Sequence, residues 1–189
     1  MGKIILGSSS PRRADILKKL KLDYEIIPSE YVEPHEQTDF SYSFVEDLAY
    51  NKALDVAKRQ NTEALVIGAD TIVVVDNKIL GKPKDRQDAY DTLKLLSGRT
   101  HFVVTGVAVV KSPSLEFKIK SETTYVTFKN LSDEQIKYYI ENFKPFDKAG
   151  SYGIQELPDG YVEKVEGDLD NVIGLPSGLV AELLKSFDK

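Results

Sequence analysis

The stretch that most constrains the fold is Leu65 to Val75, LVIGADTIVVV, a nearly unbroken run of β-branched and small residues with one carboxylate, Asp70, inside it. Such a run reads as a strand covered on both faces. An ionised Asp in that setting is costly unless it is paired, hydrogen-bonded or bound to a cation. Two readings follow. In the plainer one, Asp70 ends the strand and makes an Asx-turn with Thr71. In the sharper one, a strand end lined by the small residues Gly68 and Ala69 lets a ligand come close to a fixed carboxylate.

Composition narrows the chemistry around that carboxylate. A chain of 189 residues can bury one good core, or two small lobes around a cleft. It has no cysteine, which excludes disulfides, thiolate chemistry and cysteine-based zinc sites. His35 and His101 are its only histidines, which argues against a multi-histidine metal site or a histidine-centred triad. Any metal is therefore expected to be a hard cation held by oxygen, Mg²⁺ or Mn²⁺. The formal charge of −5 speaks against broad nucleic-acid binding, which relies on a basic face, but leaves room for a local basic pocket. The longest mostly apolar runs, Leu65 to Val75 and Phe102 to Val110, fall short of the roughly 18 residues of a membrane span. The opening MGKIILGSSSPRR reads as a strand and not as a leader. A cytoplasmic enzyme or binding protein is expected, with neither nucleic acid nor membrane as partner.

The N-terminal unit reads strand, loop, helix: Ile4 to Leu6, then Gly7 to Ser10, then a helix from Pro11 to about Lys19. Pro11 suits a first turn, where its missing N–H would have no partner, and Ser10 suits the N-cap. Hydroxyls, free N–H groups and the positive end of the helix dipole converge beside Arg12 and Arg13, the makings of an anion site that would include Ser8 and Ser10. A simple cap beside two solvated arginines is the alternative. Tyr24 to Pro28 reads as a second strand, leading into an acidic loop in which Glu33, next to Pro34, is a candidate ligand.

A helix is expected from about Tyr42 to Arg59, carrying Lys52, with Phe44, Val45, Leu48, Ala49, Ala53, Val56 and Ala57 giving it helical periodicity. Asp76-Asn77 reads as a hairpin tip returning through Lys78 to Leu80, followed by the loop Gly81-Lys82-Pro83-Lys84. Next come a helix from Arg86 to Leu96, a long hairpin of Thr100 to Val110 with Lys118 to Phe128, and a capped helix to Phe143. Lys148 to Gln155 reads as a loop running into a strand. Tyr161 to Val165 reads as a strand, Asn171 to Pro176 as a loop and Ser177 to Phe187 as a closing helix. No repeat, linker or boundary divides the chain, so residues 1–189 are expected to form a single domain.

Six motifs, SSSPRR at 8–13, GADT at 68–71, GKP at 81–83, SGRTH at 97–101, KAGSYGIQ at 148–155 and NVIGLP at 171–176, occur in an order that resembles the Maf family of nucleoside triphosphate pyrophosphatases over essentially the whole chain. The resemblance implies an α/β fold like that of the inosine triphosphate pyrophosphatases, with an elongated mixed central sheet flanked by helices and two lobes around a cleft. It implies hydrolysis between the α- and β-phosphates, giving nucleoside monophosphate and pyrophosphate, a divalent metal cation as cofactor, and a homodimer. Position by position, Asp70 matches the family's proton acceptor, and Arg12, Thr71 and Gln155 match positions linked to substrate choice. Ser8, Arg13, Glu33, Lys52 and Lys82 match its polar cleft residues. The variant KAGSYGIQ, with Tyr152 and Gln155, resembles the branch acting on dTTP and UTP more than the branch acting on 7-methyl-GTP.

Physical chemistry says why such residues are needed. A triphosphate brings about four negative charges, which Arg13, Lys52, Lys82 and the helix start can offset even on an acidic protein. Water needs a carboxylate to take its proton or a metal to lower its pKa. Asp70 could serve either purpose, with Glu33 as co-ligand in the second. The Gln155 amide carries the donor and acceptor that match the O4 and N3–H edge shared by thymine and uracil. Family members have also been associated with arrest of septum formation, so a non-catalytic nucleotide-responsive regulator is the other reading. Asp70 among the cations favours the enzyme, because a sensor needs the cations but no base.

Overall fold

A computed structural model describes residues 2–34 and 37–188. His35 and Glu36 of the acidic loop lie outside the described residues. Among the described residues, seven strands form one mixed sheet around β3 (Ala64–Val75), the buried run singled out above. One edge of β3 pairs antiparallel along nearly its whole length with β5 (Thr100–Ser112), from Ala64 opposite Ser112 to Val74 opposite Phe102. Beyond β5 lie β6 (Glu116–Phe128) and then β7 (Val162–Glu166), also antiparallel.

The other edge of β3 is shared by two short strands. β1 (Lys3–Leu6) runs parallel to its beginning, with Leu6 opposite Ile67, and β2 (Tyr24–Ile26) pairs outside β1. β4 (Lys78–Leu80) turns back on its end, with Leu80 opposite Val73. The Asp76-Asn77 tip has both residues at positive φ, 49° and 61°, as a tight two-residue hairpin demands. Among the described residues, no strand lies beside this edge of β3 between Ile67 and Val73.

That gap corrects one expectation. Asp70 neither ends a strand nor makes an Asx-turn: β3 runs straight through it, opposite Gly106. The opening comes from the neighbouring strands stopping, one at each side, while the strand bearing Asp70 continues.

Side chains alternate across a strand, so successive β3 residues face opposite layers. Val66, Ile72 and Val74 face α2 (Tyr42–Lys58), whose Val45, Ala49, Ala53 and Val56 cover that side of both halves of the sheet. Leu65, Ile67 and Ala69 face α1 (Pro11–Lys19) and a helix at Ser177–Lys185 over the first lobe. Val73 and Val75 face α3 (Arg86–Leu96) and α4 (Asp133–Phe143) over the second. The elongated mixed sheet and the two lobes are as expected.

Two segments differ from their sequence reading. Residues 148–155 do not enter a strand: a 3-10 turn at Ala149–Ser151, with Gly150 at φ 68°, leads into further turns. A Cβ on Gly150 would stand 2.9 Å from a Val73 methyl, so the loop backbone lies directly on the sheet, where ladder pairing is geometrically closed to it. The expected loop at 171–176 begins inside a short helix, α5 (Leu169–Ile173), capped by Asp168 and ended by Gly174 at φ 127°. The closing helix at Ser177–Lys185 is α6.

Candidate active site

The edge gap opens into a cleft of about 510 Å³ between the lobes, reached from both faces of the sheet. Asp70 arrives from the α2 side. Its Oδ1 lies 2.5 Å from Lys52 Nζ, and both side chains are mostly buried. Lys52 thus supplies the pairing that a carboxylate in an apolar strand requires. The same ammonium is 2.7 Å from Glu33 Oε1, on the more exposed loop after β2. Glycine makes this contact possible. A Cβ on Gly68 would sit 2.3 Å from Ala49 O and 2.6 Å from Ala53 N, and one on Gly106 would sit 2.5 Å from Val45 O. Bare backbone at these two positions lets α2 settle close to the sheet, bringing Lys52 within reach of Asp70.

Arg13 arrives from the opposite face. Its Nε donates to Gly174 O at 2.8 Å, one terminal nitrogen donates to Ser8 Oγ and the other to Thr71 Oγ1, each at 3.3 Å. Burial lowers its pKa from the ordinary 12.5, with the Asp70 charge opposing the shift. Ser10 caps α1, its hydroxyl accepting from Arg13 N, and Ser8 Oγ accepts from Ser10 N at 3.2 Å. The serine loop therefore serves both as cap and as the wall that holds Arg13. Arg12 is more exposed, 3.7 Å from Asp147. The two arginines that looked alike in the sequence do different work.

Lys82 and Gln155 complete the cleft lining, and Lys82 forms no ion pair among the described residues. The loop bearing Lys82 is anchored to the loop bearing Gln155 by Gly150 N donating to Gly81 O at 3.1 Å. Val73, Val103, Tyr152, Ile154 and Val172 add apolar lining to the cleft that Gln155 shares. Tyr152 is fixed from behind: its hydroxyl lies 2.6 Å from His101 Nε2, and its ring meets Phe128 edge-on. Burial pushes the His101 pKa down from 6.5 to about 4, so this imidazole is a neutral structural partner.

The structure thus brings Ser8, Ser10, Arg12, Arg13, Lys52, Asp70, Thr71, Lys82 and Gln155 to one cleft, with Glu33 reaching it through Lys52. Lys148, Asp147 and Glu156 also line it, and sequence reasoning singled out none of them. Lys148 lay inside the KAGSYGIQ motif, yet nothing in its spacing marks it as buried. The walls carry five cationic side chains against three carboxylates, a local excess of positive charge on an acidic protein.

Among the described residues no three metal-ligating side chains converge. Asp70 and Glu33 do share one cation, the Lys52 ammonium. Two carboxylate oxygens around a positive centre suit Mg²⁺ or Mn²⁺ when substrate phosphates and water complete the shell. The donor set therefore fits a hard divalent ion that arrives with a phosphorylated ligand.

The sequence profile of the family described as "Maf-like protein" matches residues 3–187. The dTTP/UTP pyrophosphatase of Thermoanaerobacter sp. (strain X514) is 47% identical over 187 residues, covering 98% of this chain and 97% of that protein. That of Thermosipho africanus is 49% identical over 183 residues, covering 96% and 92%. In fold, the Ham1 protein of Staphylococcus aureus superimposes with a TM-score of 0.53 at 16% identity, covering 98% of this chain and 99% of that one. No helix among the described residues is long and apolar enough to cross a membrane. With the profile spanning nearly every residue and relatives this similar end to end, the chain belongs to the Maf family.

Proposed function

We propose that this protein is a nucleoside triphosphate pyrophosphatase that hydrolyses dTTP and UTP to the monophosphate and pyrophosphate, acting as one domain in the cytoplasm. The observation that carries the reading is Asp70, held by Lys52 in the gap of the sheet edge, facing a cleft that Arg13 enters from the opposite side. The reaction needs an oxygen that accepts a proton beside cations that grip phosphate, and the gap brings the two together.

In this scheme the triphosphate tail lies along Ser8, the start of α1, Arg13, Lys52 and Lys82, where charge-assisted hydrogen bonds orient it. A water oxygen bonds to the α-phosphorus as the bond to the α,β-bridging oxygen breaks, and pyrophosphate departs. Asp70 takes the proton of the attacking water, a contribution of about 10²–10⁴-fold for a positioned base. Lys52 holds that carboxylate in place. The net positive charge of the cleft walls offsets part of the negative charge of a triphosphate. A divalent cation would be held by Glu33 and the substrate phosphates, with Asp70 as a further ligand only in the alternative to its role as base, and would supply more of that neutralisation. Gln155 reads the O4 and N3–H edge of thymine or uracil, and Arg12 and Thr71 line the same cleft.

Product analysis tests the reading. Purified protein incubated with dTTP or UTP and Mg²⁺ yields monophosphate and pyrophosphate, and Asp70→Asn lowers kcat by about 10²-fold or more. Release of diphosphate and phosphate, or tight binding without turnover, overturns it. A panel including CTP, ITP and 7-methyl-GTP ranks the bases in the same assay.

A further inference from the structure

The cleft contains one buried cation that the scheme above leaves idle. The Lys148 side chain is 9% exposed, and its Nζ lies 2.9 Å from Asp147 Oδ1 and 3.2 Å from Glu156 Oε2. Its stem runs under the turn that presents Gln155. A Cβ on Gly153 would stand 2.8 Å from Lys148 Cε and 3.0 Å from Cδ, so the turn rests on the lysine only because residue 153 lacks a side chain. Glu156 N donates to Gly153 O at 3.0 Å and closes that turn around Ile154 and Gln155.

Glu156 Oε2 is buried with no hydrogen-bond partner among the described residues, so the nearby ammonium is its compensation. On the other side, Asp147 is also 3.7 Å from Arg12. Lys148 is therefore the common link between the carboxylate that flanks Gln155 and the carboxylate that faces Arg12. Its ammonium already meets two carboxylates in a nearly closed setting, which suits it to hold protein in place and not to grip phosphate.

We infer that Lys148 is the positioning residue for base selection, fixing the Gln155 turn through Glu156 and the Arg12 approach through Asp147. The inference rests on Gln155 reading the base. Without the ammonium, Asp147 and Glu156 repel each other, Glu156 turns toward water, and the Gln155 turn loses its support.

Steady-state kinetics of the full chain with Mg²⁺ on dTTP, UTP and CTP test this, using Lys148→Met, Glu156→Gln and the double variant, each checked for cooperative thermal unfolding. The expected result for Lys148→Met is a fall of about tenfold in the dTTP to CTP ratio of kcat/KM, with the loss on dTTP larger in KM than in kcat. Glu156→Gln shifts the ratio in the same direction, and the double variant is no worse than Lys148→Met alone, because both remove one pair. A ratio within about twofold of the wild type, or equal loss on every nucleotide, overturns the assignment. If Lys148→Met does not fold, Glu156→Gln decides by the same criterion. A wild-type protein without preference for dTTP over CTP refutes the base-reading role of Gln155 and this assignment together. A selective wild type with unaltered variants refutes the assignment alone.

Discussion

His101 makes stability depend on pH between its ordinary pKa of 6.5 and about 4. It is 1% exposed and packed edge-on against Phe128 and Tyr152, and among the described residues no carboxylate offsets a charge on its ring. Burial lowers its pKa from 6.5 to about 4. As pH falls through 6.5 the unfolded chain takes up a proton at this residue, and the folded chain does not until about 4. The unfolded state binds more protons throughout that interval, so stability is full above it and declines as pH drops. At about 1.36 kcal/mol per pH unit the complete loss is about 3 kcal/mol, with about 2 kcal/mol of it gone by pH 5. Urea unfolding of the wild type and His101→Asn, from about pH 7.5 down to about pH 4.5, measures it. The variant is less stable at neutral pH, but its disadvantage shrinks by about 2 kcal/mol by pH 5. His35 is present in both proteins and cancels in the comparison. Asp55, Asp147 and Asp170 are all held below the usual 3.8, so they act at still lower pH. Two parallel curves across the window refute the reasoning.

Gly68→Ala forces a methyl against the backbone of α2, and the helix must retreat; a loss of about 1–3 kcal/mol is expected by thermal unfolding, together with reduced turnover as Lys52 is drawn from Asp70. Full stability and activity would mean that the close approach is unimportant. Lys52→Met removes the ion-pair partner of Asp70, an expected loss of about 1–3 kcal/mol, and adding Asp70→Asn recovers part of it in a double-mutant cycle read by urea unfolding. Additive losses would show that the two side chains are not coupled. Gln155→Glu impairs selection of dTTP and UTP over other bases more than it slows turnover of a generic triphosphate, and uniform loss across a nucleotide panel counts against a base-reading role.

The long elements were readable because their signals are local. β3, β5 and β6 announce themselves by β-branched runs, and α1 by Ser10 and Pro11 at its start. The position of Asp70 within the sheet was not readable in that way, since it depends on where β1 and β4 stop alongside β3. The helix α5 is five residues long, too short for an apolar period, although Asp168 and Gly174 were available as cap and stop. Lys148 was invisible for another reason: its burial is decided by Glu156 folding back over it through a glycine turn, which no spacing rule records. Arg12 and Arg13, adjacent and chemically identical, separate only when the carbonyl of Gly174, from the far end of the chain, accepts from one of them.

The gap beside Asp70 also explains why the serine loop must stop being a strand. Gly7 N still donates to Ile67 O at 2.8 Å, the last step of the parallel ladder. Had Ser8 to Ser10 continued along β3, their backbone would have closed the edge next to Asp70, and Arg13 would have had no route to Thr71. Instead Ser10 caps a helix that begins at Pro11, whose missing N–H cannot join a ladder, and the chain turns away with Arg13 one helical turn from the cap. On the other side β4 offers only three residues, pairing with Val73 to Val75, before Gly81 and Pro83 prevent a regular strand. A charged side chain in the middle of a buried strand is tolerable here because the two strands that could have sealed it both end early, and what ends them supplies Ser8, Arg13 and Lys82 to the opening they leave.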